Sequence, residues 1–178
     1  MSVEAAFTDD EQQVIDGWAA FAGSLAGDAP ELEGTGALAG GRVRDLAGRI
    51  GAGGWFHVAV PGTELTLGAT TLAGLAEAGG RPRIPLPYPV LETWAAVALL
   101  SAAGDVAADL LDAVVGGEVV TTVAVDALGR SAPPGRSGWV PWGGVAELVV
   151  DAAARADGAY DLHALRTADL DVRPATPL

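Results

Sequence analysis

Two histidines, His57 and His163, are the only imidazoles in the 178-residue chain, and there is no cysteine. A metal centre needs several ligands converging on one point. These two stand far apart in the sequence, so no metal ligand is assigned, and thiolate sites and disulfides are excluded. His163 lies in an alternating run and reads as a surface residue. His57, beside Trp55 and Phe56, reads as a satisfied buried or boundary histidine. The glycine clusters Gly34 to Gly41 and Gly51 to Gly54 neither follow a strand nor open a helix with dinucleotide spacing, so they make no phosphate cradle. Asp126 and Arg130 read as solvated loop charges. Trp139 and Trp142 are large aromatic surfaces that plug a junction between sheet and helices.

The elements that must position these residues are legible from periodicity. Thr8 with Glu11 three residues on forms a capping box. Apolar residues then recur at Val14, Ile15, Trp18, Phe21, Ala22 and Leu25, which is one helical stripe. Gly27 to Gly41 reads as a loop, and Val43 to Ile50 as a short helix ended by glycines. Trp55 to Val60 reads as a short strand or an extended apolar plug. Leu65 to Ala78 is expected to be helical and to stop at Gly79-Gly80. Pro82, Pro85, Pro87 and Pro89 impose an extended connector. A strongly apolar helix follows over Val90 to Ala103 and is broken by Gly104. Asp105 is placed to cap the next helix, whose apolar positions are Val106, Leu110, Leu111, Val114 and Val115, with Gly116-Gly117 ending it.

From Glu118 the character changes. Val119 to Val125 is a β-branched strand. Trp139-Val140, Val145 to Ala152, Ala159 to Leu165 and Leu170 to Arg173 are further strand candidates. The expected fold class is therefore α+β. Residues 1–117 form an all-helical domain, and residues 118–178 a small, mostly antiparallel β domain.

The formal net charge is −13, with ten basic residues that are all arginine. Such a surface repels nucleic-acid phosphates and anionic lipid heads. There is no basic stripe with interleaved aromatics, so a nucleic-acid partner is not expected. No stretch of about eighteen apolar residues is free of charges and glycines, so no membrane span is expected. The acidic N-terminus lacks the basic and apolar regions of a secretory signal, which points to the cytoplasm.

The order of these features resembles the acyl-CoA dehydrogenase family. Phe7-Thr8-Asp9-Asp10-Glu11-Gln12 is similar to the family's opening. Ile50 to Phe56, running on to Val60-Pro61, resembles its leucine–glycine–tryptophan … valine–proline–glutamate stretch. Leu75 to Arg81 resembles its glutamate–glutamate–leucine–glycine–arginine signature. Pro85-Leu86 to Thr93, then Leu110-Leu111 through Gly117-Glu118, resembles its run into the first strand. Val145 to Ala152 resembles the strand with an alanine–aspartate step.

The resemblance implies a helical domain, then a small β domain, and FAD-dependent α,β-dehydrogenation of an acyl thioester. It also implies flavin contacts at the positions of Val125, Asp126, Trp139, Val140 and Pro141, with Trp139 and Trp142 able to stack on a flavin or an acyl chain. The departures fall at the same place. Family members carry a threonine–glutamate–proline step where Val125-Asp126-Ala127 stands here, with no hydroxyl. Their tryptophan–isoleucine–serine or threonine motif is matched by Trp139-Val140-Pro141, and proline has neither a hydroxyl nor an N–H. The family's catalytic glutamate comes from a helical region after the β domain, and this chain ends at Leu178 before such a region. No catalytic residue is therefore assigned. The expectation is a component completed by a companion acyl-CoA dehydrogenase subunit or by self-association, or a degenerate member with a binding role.

Overall fold

The computed structural model describes residues 7–27, 40–63, 67–80, 90–124, 140 and 142–171. Within these, five α-helices precede a three-stranded sheet. The helices are α1 (Asp9–Gly27), α2 (Gly40–Ala52), α3 (Ala69–Gly80), α4 (Val90–Ala102) and α5 (Ala108–Val115). The strands are β1 (Thr121–Val123), β2 (Leu148–Ala154) and β3 (Tyr160–Arg166). The α+β class holds. None of the described helices is long and apolar enough to cross a membrane.

The capping box of α1 is present. The Thr8 N–H donates to Glu11 Oε2 at 2.9 Å, and the Glu11 N–H donates to Thr8 Oγ1 at 3.3 Å. The other Glu11 oxygen accepts the hydroxyl of Thr71 on α3 at 2.5 Å. That bond, followed by the two from Thr8, lowers the Glu11 carboxyl from its ordinary value. One side chain thus ends a helix and fastens its neighbour. Helices α1 and α3 approach closely because α3 presents small residues to α1. A Cβ on Gly74 would come within 2.8 Å of Ile15 and 2.9 Å of Phe7, and one on Gly79 within 2.8 Å of Trp18 Nε1.

The core begins in an aromatic cluster. The Trp18 ring centroid lies 5.2 Å from that of Trp55, 5.6 Å from Trp94 and 6.0 Å from Phe21, all tilted, as ring quadrupoles favour. Trp94 on α4 donates its indole N–H to the Trp55 carbonyl at 2.8 Å. The buried Trp18 Nε1 has no hydrogen-bond partner. From α4 the core continues through Val97 and Leu100 to Val114 and Val115, and on to Val120, Leu148 and Val150 of the sheet region. The Thr93 hydroxyl on α4 donates to the Thr121 carbonyl at 3.1 Å, so α4 lies directly on β1.

In the sheet, β2 is central. It pairs parallel with β1 over three residues, Thr121 to Val123 against Leu148 to Val150. It pairs antiparallel with β3 over its full length, Leu148 opposite Arg166 through Ala154 opposite Tyr160. The mostly antiparallel sheet is as expected, with one parallel pairing that hydrophobic alternation could not show.

Several local expectations are corrected. Trp55 to Val60 is no strand: residues 53–56 turn, and His57–Ala59 form a short 3-10 helix that buries Phe56, Val58 and Ala59. His57 is exposed on that turn. Asp105 does not cap α5, because Gly104–Ala107 winds a 3-10 turn and Ala107 precedes the helix without a side-chain cap. Val106, placed on the apolar stripe by spacing, is 96% exposed for the same reason. Helix α3 does stop at the expected glycine pair, its last residue being Gly80. Leu170 is not in a strand, since Thr167–Asp169 forms a 3-10 turn and Leu170 closes it. Of the strand expected over Val119 to Val125, the described residues form β1 alone, with Val125 outside them, and Val140 is not in a strand. Residues 28–39 of the expected loop and the proline connector lie outside the described residues.

Where helices give way to strands, backbone meets backbone. A Cβ on Gly51 of α2 would overlap the Gly116 carbonyl, and a Cβ on Gly117 would overlap the Ala47 carbonyl. Gly117 also has φ +73°, which side chains resist. Gly48, one turn before Ala52 on the same helix, has open space around it. Gly117→Ala and Gly51→Ala are each expected to destabilise by roughly 2–3 kcal/mol or more. Gly48→Ala is expected to stabilise by about 0.5–1 kcal/mol, through helix propensity. Urea denaturation of the three variants checks the contrast.

Candidate functional site

Of the five positions at the expected flavin edge, only Val140 lies among the described residues; Val125, Asp126, Trp139 and Pro141 lie outside them. Val140 opens a turn that delivers the chain to β2. Its carbonyl accepts the Gly143 N–H at 3.1 Å. Trp142 then takes φ +60°, and its carbonyl accepts the N–H groups of Val145 and Ala146, both at 2.9 Å. A bulky residue in this left-handed region costs on the order of 1–3 kcal/mol, so the surrounding bonds hold it there. The turn reaches β2 at the end of the sheet where β1 begins. Ala124, just before Val125, donates its N–H to the Val150 carbonyl at 3.0 Å, where β1 stops. Ala124 and the turn from Trp142 to Glu147 therefore lie at opposite ends of β1.

The turn's last residue, Glu147, joins three parts of the molecule. Its carboxylate pairs with Arg44 of α2 and accepts the Val120 N–H at 3.1 Å. Its backbone N–H donates to the Val120 carbonyl at 2.8 Å, and its carbonyl accepts the Thr167 N–H at 3.0 Å. The Thr167 hydroxyl adds a bond of 2.6 Å to the Ala146 carbonyl. This fixes the register in which β2 enters the sheet. The role is structural, because the carboxylate is already committed to a cation and an N–H.

The Val140 carbonyl and the Ala124 N–H are both used within the fold. Pro141, adjacent in sequence, has no N–H to give. No group of three or more His, Asp or Glu residues that could hold a metal occurs among the described residues.

Titratable side chains do meet in the hairpin. Asp151 on central β2 stands directly opposite His163 on β3, with Ala124 flanking the same stretch of β2. Burial raises the Asp151 carboxyl above its ordinary value, against an attraction from His163 and the Ala152 backbone N–H. Its Oδ1 is buried with no hydrogen-bond partner. Asp161, on the same face two residues before His163, is held by Arg155 at 3.3 Å. A desolvated carboxyl facing an imidazole can hold and pass a proton.

The spacing of Asp151 and His163 in sequence hides this pair. The signal that exposes it is the turn. Asp157-Gly158, with Gly158 at φ +82°, is a hairpin turn pattern. Reflecting the strands about Asp157 sets Arg155 against Ala159 and carries Asp151 onto His163. The Arg155 N–H bond to the Ala159 carbonyl at 2.8 Å marks that reflection.

The sign of the Asp151 shift gives an expected outcome. A carboxyl raised by burial favours folding while protonated, and that contribution is lost as pH rises through its folded value. Asp151→Asn, which removes the buried charge at constant shape, is therefore expected to raise the urea midpoint at neutral pH. The gain should vanish below about pH 4, where the unfolded carboxyl is also protonated. An equal effect at both pH values would contradict the assignment.

Compared with known families and with curated proteins, the chain matches no family model and no curated protein.

Proposed function

We propose that this chain is an acyl-CoA dehydrogenase-like subunit or fragment. In this reading it contributes to FAD-dependent α,β-dehydrogenation of an acyl thioester in the cytoplasm, together with a partner subunit or a further helical domain. The observation that carries the reading is the architecture. Five helices precede a small mixed sheet, and α4 lies across β1 so that one apolar core runs through both. This is the order that the sequence resemblance implies.

The reaction removes an α-proton and passes the β-hydrogen to flavin as hydride. It requires a carboxylate base at the α-carbon, donors at the thioester carbonyl and a flavin against the β-carbon. Asp151 is a raised carboxyl, but it is half-buried in the hairpin opposite His163, with the Ala152 backbone N–H already directed at it. The reading therefore gives the base and the main flavin contacts to the partner. In this reading the chain supplies a scaffold. A second reading, a non-catalytic member that serves as a binding partner, is favoured by Pro141 and Asp126 at positions where relatives place hydroxyl donors.

The isolated chain is expected to show no dye reduction with a panel of acyl-CoAs and added FAD. FAD binding by calorimetry is expected to be weak. Each missing hydrogen bond costs on the order of 1–3 kcal/mol, so two weaken binding roughly a hundredfold or more. Turnover by the chain alone, or tight sub-micromolar FAD binding, would contradict the reading.

A further inference from the structure

The outer edge of β3 is open among the described residues. β3 ends the sheet, and all its side chains are exposed except that of Leu162, which is half-buried. Tyr160 is 65% and Leu165 39% exposed, large apolar surfaces for the last strand of a sheet. Edges are ordinarily blunted by proline, charged side chains, a bulge or a covering element. Tyr160–Arg166 contains no proline, its charges are one aspartate and one arginine that balance, and its pairing with β2 runs without interruption.

The direction of the backbone groups follows from the register. Arg155 bonds Ala159 and Glu147 bonds Thr167, so the odd-numbered residues of β3 turn their N–H and C=O toward β2. The even-numbered residues Tyr160, Leu162, Ala164 and Arg166 turn theirs outward. A strand docking here must match that spacing and the side chains between.

We propose that the open edge of β3 pairs antiparallel with the same strand of a second copy, about a two-fold axis at His163. The inference does not depend on the dehydrogenase reading. Symmetric antiparallel pairing requires outward-facing residues to meet outward-facing residues, and an axis through His163 satisfies this. Leu162 then bonds Ala164 of the second copy, and Tyr160 bonds Arg166. The pairs are complementary: leucine meets alanine, and the tyrosine ring meets a guanidinium. His163 meets its own copy, each imidazole keeping Asp151 on its other side. Asp161 falls opposite Leu165 and diagonal to the other copy's His163, so no two carboxylates of β3 face each other.

Charge selects the occupant. The chain carries −13 overall, but β3 itself holds one aspartate and one arginine. At physiological salt the Debye length is about 8 Å, so the balanced strand governs the contact while the remaining charge acts as a screened repulsion. Self-pairing therefore tightens as salt rises, whereas docking of a basic partner would weaken. One added strand is a small interface beside the roughly 1,200–2,000 Å² of stable complexes, so the dimer is weak and depends on concentration.

The absence of native cysteine makes a direct test clean. The two His163 residues form a non-hydrogen-bonded pair with Cα atoms about 4.5 Å apart, within disulfide reach. The two Asp161 residues lie four positions out of register, about 13 Å apart. His163→Cys should cross-link into a covalent dimer under mild oxidation, and Asp161→Cys should not. In sedimentation velocity the native chain should show a monomer–dimer equilibrium that tightens about tenfold between about 50 mM and about 500 mM salt. Ala164→Pro removes an outward N–H and leaves the bonds to β2, and Arg166→Glu breaks the charge match. Both should abolish the dimer while circular dichroism stays native. A chain that is monomeric at every concentration and salt would overturn the proposal. So would a dimer indifferent to both variants, a dimer that loosens with salt, or cross-linking of Asp161→Cys as fast as His163→Cys.

Discussion

The arrangement of the whole molecule depends on one close contact, in which the backbone of α2 lies against the Gly116–Gly117 turn with no side chain between. Only glycine permits it at Gly51 and Gly117, where a Cβ would enter a facing carbonyl. Because the two segments touch at backbone distance, the chain leaves α5 at a fixed angle and Val120 arrives at the foot of the sheet. Glu147 then reaches Arg44 on α2 and the Val120 N–H together. An exposed ion pair of this kind contributes at most about 1 kcal/mol, so its value is in register more than in stability. If the glycine contact opened, the pair, the Thr93 bond to β1 and the parallel pairing of β1 with β2 would all lose their alignment.

The helical part has its own logic. Small residues on α3 let α1 come close, and Glu11 uses both oxygens, one to cap α1 and one to hold Thr71. The indoles of Trp18, Trp55 and Trp94 fill the space between α1, the 3-10 turn and α4. Trp94 finds a carbonyl for its N–H, whereas Trp18 presses its own against Gly79 and leaves it unpaired. An unpaired buried donor costs about 1–3 kcal/mol. The rings' apolar contact area in a fully buried position offsets that cost. The hairpin is the reverse case, with β2 buried on both faces and β3 almost wholly wet.

Much of this was legible because it is local. The capping box at Thr8 and Glu11, the stripe from Ile15 to Leu25 and the glycine stop at Gly117 each follow from a few neighbouring residues. The errors fell where a tertiary contact overrode a local pattern. Trp55 to Val60 looks like a strand by composition, yet a 3-10 turn buries Phe56 and Val58 better than an isolated strand could. Val106 fits the helical spacing, but Gly104 at φ +64° starts a tighter turn that swings it into solvent. The Asp151–His163 pair was missed because it depends on hairpin register, which the Asp157-Gly158 turn sets and hydrophobicity does not. Of the expected flavin edge only Val140 is described, and its carbonyl already serves the turn.

The functional account rests on a helical layer joined through one core to a small mixed sheet, with the reactive groups of a dehydrogenase supplied from elsewhere. In the dehydrogenase reading we propose, this chain contributes shape and a docking framework, and chemistry enters in a larger assembly. The most direct measurement is made on the complex purified from native cells through a tag on this chain, read for visible flavin absorbance and for acyl-CoA-dependent bleaching of those bands. The account predicts a yellow complex that bleaches on addition of an acyl-CoA and regains its colour with an electron acceptor. A colourless complex, or a flavin indifferent to every acyl thioester tried, would contradict it.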